Sequence, residues 1–148
     1  MSIIIDTQYA AKSNDIPKKG KISKWANACL NGITAQAELT IRIVDENEGA
    51  KLNMDWCNKE SATNVLSFPS GDNPLAPHFL GDVVICAPVV IREATEQGKL
   101  EDAHWAHMIV HGILHLLGYD HINVKDAIDM EALEIKKLES IGFPNPYI

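Results

Sequence analysis

The chain has 148 residues, 46% hydrophobic and 22% charged, with Lys+Arg 13 against Asp+Glu 20 for a net charge of −7. That length suits one compact domain over residues 1–148. The composition excludes wholesale disorder and fibrous repeats, and no apolar run approaches the roughly 18 residues of a membrane span. An acidic balance also speaks against broad non-specific nucleic-acid binding, which runs on lysine and arginine, though it leaves room for a local basic groove.

Ile3-Ile4-Ile5 lie in a strand expected over residues 2–8, and Pro17 and Gly20 mark the turn after it. Ile22, Trp25, Ala26, Cys29 and Leu30 fall at i, i+3, i+4, i+7 and i+8, an amphipathic helix that Asn31-Gly32 stops. From Glu38 to Val44 the residues alternate, with Leu39, Ile41 and Ile43 on one face, as a half-buried strand requires. Asp45 with Glu48 three residues on resembles a capping box opening a short helix that carries Leu52 and Trp56. Asn64 to Phe68 reads as an apolar strand ended by Pro69 and a turn-rich stretch to Pro74. In Leu80 to Cys86 the run Val83-Val84-Ile85 is continuous, which fits a strand buried on both faces.

Pro88 suits the first turn of a helix that Gly98 closes. Glu101-Asp102 place anions at the positive end of the next helix, which runs to Leu117 and meets Gly118. A last helix covers about Asp126 to Ser140. The order β-α-β-α-β-β-α-α-α predicts an α+β fold with one mixed sheet. Cys29, Cys57 and Cys86 form no C-x-x-C pair, so reduced and mostly buried thiols are expected rather than a disulfide framework or a cysteine zinc ribbon. With no basic, apolar leader at the start, a cytoplasmic protein is expected.

The chemistry concentrates between His104 and His121, which hold five of the six histidines. His111 and His115 are four apart, so on a helix they differ by only ~40° in direction and ~6 Å in height. Two imidazoles so placed can grip one ion at Zn–N distances of about 2.0–2.1 Å. On a continuous helix His121 would point elsewhere, but Gly118 can adopt the left-handed backbone that turns the chain back.

The spacing H-x-x-x-H-x-x-G-x-x-H is that of the metzincin zinc helix and glycine turn, with one change. Gly112 stands where those proteases carry the glutamate that serves as general base, which disfavours peptide hydrolysis. Three imidazoles leave a fourth zinc position open, a catalytic rather than a closed arrangement, and they also suit nickel or copper. His107 shares the face of His111 and is expected to pack or hydrogen-bond nearby, and His104 and His78 are expected to be structural. Asp120 beside His121 could orient an imidazole through its free N–H. No general base stands out.

His111-Gly112-x-Leu114-His115-Leu116-x-Gly118-Tyr119-Asp120-His121 resembles the signature of the YbeY family of bacterial metal-dependent endoribonucleases. Thr63-Asn64-Val65-Leu66-Ser67-Phe68-Pro69 is similar to the family's second block, and Leu80-Gly81-Asp82 fits its following strand. The resemblance implies a mixed four-stranded sheet packed with about five helices. It implies one Zn2+ per chain on His111, His115 and His121. It also implies cleavage of single-stranded RNA in 16S rRNA 3′-end maturation and ribosome quality control. The partners would be rRNA and the small ribosomal subunit with its proteins, and neither DNA nor a membrane.

Where the family carries an RNA-contacting arginine ahead of the second block, this chain has Cys57, while Lys59 is retained. Either Lys59, Arg92 or Arg42 takes over the phosphate contact, or nuclease activity is weakened or lost in this chain. Two other readings stay open. One is a zinc hydrolase of another substrate class. The other is a non-catalytic assembly factor in which zinc fixes the C-terminal helices.

Overall fold

A computed structural model describes residues 2–12, 15–59, 61–71, 74–119 and 123–148. Through them run β1 (Ser2–Tyr9), α1 (Lys19–Leu30), β2 (Gln36–Val44), α2 (Glu46–Cys57), β3 (Val65–Pro69), β4 (Phe79–Cys86), α3 (Ala87–Glu96), α4 (Glu101–Leu116) and α5 (Val124–Glu139). This is the order that periodicity predicts.

The strands form one mixed sheet in the order β1-β2-β4-β3, with β1, β2 and β4 parallel and β3 antiparallel to β4. Alternation decides what each face buries. Leu39, Ile41, Ile43, Val83 and Ile85 point into the main core with Ile22, Leu30, Trp105, Ile109 and Ile113 from the helices. Val44, Val84 and Cys86 point the other way, into a smaller cluster with Val89, Leu52, Leu66 and Phe68. β4 is therefore buried on both faces, as its continuous apolar run requires.

The helix α4 is central, packing on β3, β4, α1, α3 and α5. Its buried positions, from His104 through Leu116, leave almost no polar face. A helix apolar nearly all round belongs to the core. What lets it lie so close to the sheet is Gly112. A Cβ there would meet Val83 Cγ1 at 2.6 Å and Val65 Cγ2 at 3.2 Å. The Ser67 hydroxyl fixes the same contact, donating to the Gly112 carbonyl at 2.9 Å.

At its C-terminal end Gly118 takes φ +100°. The Gly118 N–H donates to the His115 carbonyl and the Tyr119 N–H to the Leu114 carbonyl, both at 3.0 Å. These are the two bonds of a Schellman turn, so the chain does leave the helix axis where the glycine predicts.

One local expectation is corrected. Asp45 precedes α2 with extended backbone but makes no capping bond. Glu48 instead takes both Nε and Nη2 of Arg42, at 2.6 and 3.0 Å, because a bidentate guanidinium is the stronger partner. The cysteines are free and mostly buried as expected: Cys29 and Cys86 are buried, and Cys57 is exposed at the end of α2. His78 is exposed in the turn before β4, and its carbonyl accepts from the Glu38 N–H.

Candidate metal centre

His111 and His115 project from successive turns of α4 with ring centroids 4.6 Å apart and planes at 75°. Their Nε2 atoms are 3.1 Å apart. Two nitrogens on a tetrahedral zinc at 2.0–2.1 Å would lie ~3.3 Å apart, so the pair fits such an ion. Both rings line a cleft of about 350 Å³ whose other walls are Val65, Leu66, Ser67 and Pro69 of β3 with Gly118 and Tyr119. Edge strand, histidine pair and glycine turn thus meet at one place.

Behind His111 stands Glu134 of α5, fully buried. Its Oε2 accepts from His107 Nε2 at 2.7 Å and from His111 Nδ1 at 3.1 Å, and its Oε1 accepts from the Tyr147 hydroxyl at 2.7 Å. Burial alone would push this carboxyl up, but the bonds from His107, His111 and Tyr147 outweigh it and hold the group down at about 2. An ionised carboxylate only accepts, so Nδ1 of His111 carries the proton and its Nε2 presents a lone pair toward His115. This carboxylate–histidine pairing sets the tautomer a metal ligand needs.

His107, His111 and Glu134 also offer ligand atoms within 4.8 Å of one another, a group that could itself bind a metal ion. As it stands, two N–H protons lie between those atoms, so the group is a hydrogen-bonded relay.

The remaining sequence candidates divide by place. His121 and Asp120 lie outside the described residues. Lys59 is exposed just past α2, and Arg92 on α3 pairs with Glu46 at 3.0 Å. Neither is among the described residues lining the histidine cleft, and that lining holds no lysine or arginine. Arg42 faces the opposite side of the sheet, in a wider groove of about 630 Å³ shared with Glu48, Trp56, Phe68 and Asp82.

His104 is structural as expected. It is buried, and its Nε2 lies 3.0 Å from Glu93. Burial lowers its pKa, with Glu93 pulling the other way. His107 does hydrogen-bond beside the site. Sequence reading missed Glu134 and Tyr147. A signal for the first was present: on α5 Glu134 falls between Met130 and Leu138 on the buried stripe, a charge where the period demands an apolar residue.

Residues 6–142 match the family model described as endoribonuclease YbeY. The chain belongs to that family. A relative named endoribonuclease YbeY from Pseudomonas savastanoi pv. phaseolicola is 54% identical over 97% of this chain and 87% of its own length. Another of that name, from Nitrosococcus oceani, is 49% identical over 99% of this chain and 98% of its own. In fold, a Thermotoga maritima protein solved in solution superposes with a TM-score of 0.66 at 21% identity, covering 91% of this chain and 88% of that one. Among the described residues, no helix is long and apolar enough to cross a membrane.

Proposed function

We propose that this YbeY-family chain, as one domain over residues 1–148, is a zinc-dependent endoribonuclease cleaving single-stranded RNA in the cytoplasm. Its setting would be maturation of the 16S rRNA 3′ end and ribosome quality control, with the small ribosomal subunit and its proteins as partners. Family membership supports the reaction class. The observation that supports the metal is the 3.1 Å approach of two imidazole Nε2 atoms at the floor of a cleft.

His111, His115 and His121 would hold the ion. Zinc supplies Lewis acidity toward a phosphoryl oxygen. The chain's own residues prepare the place. Glu134 keeps His111 protonated at Nδ1, and the turn at Gly118 redirects the chain that leads to His121. Val65, Leu66 and Pro69 wall the cleft along β3. Lys59 and Arg92 would contact the RNA backbone away from the cleft, Arg92 exchanging Glu46 for a phosphate. Asp120 keeps its proposed part as an orienting carboxylate. Peptide hydrolysis is disfavoured further, because Gly112 sits against Val83 with no space for a glutamate.

His115→Ala should lose both zinc retention and cleavage of single-stranded rRNA fragments. Full cleavage by a metal-free variant would refute the proposal. The exposure of Cys57 at the family's arginine position favours one rival, an assembly factor without turnover. Cleavage seen only in Cys57→Arg would decide for it.

A further inference from the structure

We propose that Tyr147, near the end of the chain, is a positioning residue of the metal centre, acting through Glu134 on His111. A carboxylate with no exposed surface costs several kcal/mol unless its oxygens are satisfied. Glu134 meets that demand with three donors, two from α4 and one from the final segment. His107 and His111 share Oε2, and the Tyr147 hydroxyl takes Oε1. Two donors on one oxygen leave the carboxylate free to rock about the shared atom, and the third, on the other oxygen, stops it. The plane of Glu134 decides where the His111 Nδ1–H points, and hence where Nε2 points.

The segment carrying Tyr147 is held for this task. Lys99 Nζ donates to the Pro146 carbonyl at 2.8 Å, and the Tyr147 N–H donates to Asn145 Oδ1 at 2.8 Å. The Tyr147 ring stands edge-on to His107, centroids 5.4 Å apart at 84°. Since Tyr147 stays 48% exposed, filling the core is a poor account of it. Its polar tip is what reaches inward. The hydroxyl is correspondingly reluctant to ionise: burial raises its pKa, and Glu134 raises it further.

This inference rests on the reading of His111 and His115 as metal ligands, so the test separates the two. Zinc dissociation constants are measured by competition with a chromophoric chelator for the full chain and for His115→Ala, Glu134→Gln and Tyr147→Phe. Each metal-free protein is also melted. Loss of an outer partner of a ligating histidine typically weakens metal binding about 10–100-fold. Glu134→Gln should fall in that range and Tyr147→Phe several-fold, with the metal-free Tyr147→Phe protein folded and melting close to the parent.

Wild-type zinc affinity in folded Tyr147→Phe overturns the inference while the metal reading stands, provided His115→Ala has lost zinc. Unchanged affinity in His115→Ala with loss in Glu134→Gln would move the ion to His107, His111 and Glu134. That result overturns both.

Discussion

The two faces of the sheet carry two very different hollows. On the far face lies the larger, about 630 Å³, with Trp56 edge-on to Phe68 at 5.9 Å and the Arg42–Glu48 pair. On the α4 face the hollow is only about 350 Å³. Yet in the large groove Arg42 and Glu48 satisfy each other, at 37% and 36% side-chain exposure, whereas the small cleft has two imidazole nitrogens converging and a buried carboxylate behind one of them. Chemistry follows preorganised donors rather than volume, because only oriented groups act without reorganising when a ligand arrives.

The contrast breaks most visibly at Glu134. Glu134→Ala removes the shared acceptor of buried His107, of His111 and of the Tyr147 hydroxyl, and urea unfolding of the metal-free protein should show a loss of about 3 kcal/mol. Because its folded pKa is depressed to about 2, the carboxylate's contribution is full above the ordinary range near 4.3 and fades as the pH falls toward 2. The stability gap between parent and Glu134→Gln should narrow over that window.

Next in size is Gly112→Ala. Alanine is the better helix former by about 1 kcal/mol, but its Cβ would overlap Val83 Cγ1, a stiff β-branched group in a central strand. A net loss of about 1–2 kcal/mol is expected in the same unfolding measurement. On the far face Arg42→Ala should cost under about 1 kcal/mol, the usual worth of a solvated pair, and leave zinc affinity unchanged. Loss of RNA cleavage in that variant with zinc still bound would put the large groove on the substrate path and dissolve the contrast. Smallest of all, iodoacetamide should modify exposed Cys57 in the native protein with no shift in unfolding. Cys29, whose thiol burial pushes up to about 12, should react only after denaturation.

The fold was legible because local pattern and tertiary demand agree. The alternation of Leu39, Ile41 and Ile43, the unbroken Val83-Val84-Ile85 and the glycine after α4 each admit one structural use. Where one residue type serves two ends, reading failed. Asp45 and Glu48 fit a capping box, but the pattern cannot show that Arg42, aligned on a neighbouring strand, captures Glu48. Similarly His111 and His115 declare themselves through helical spacing, whereas Glu134 and Tyr147 reach the site across 23 and 40 residues of sequence. No spacing rule links them. Only the packing of α5 and the final segment against α4 does.

The contact of Gly112 with β3 and β4 has a consequence for what can enter beside the histidines. One helix backbone is seated directly on two valines and tied to Ser67, so the jaws of the cleft are two rigid elements with no compressible layer between them. Widening the gap would mean bending a strand or unwinding a helical turn. A guest lying between β3 and α4 would have to fit the gap those two elements leave.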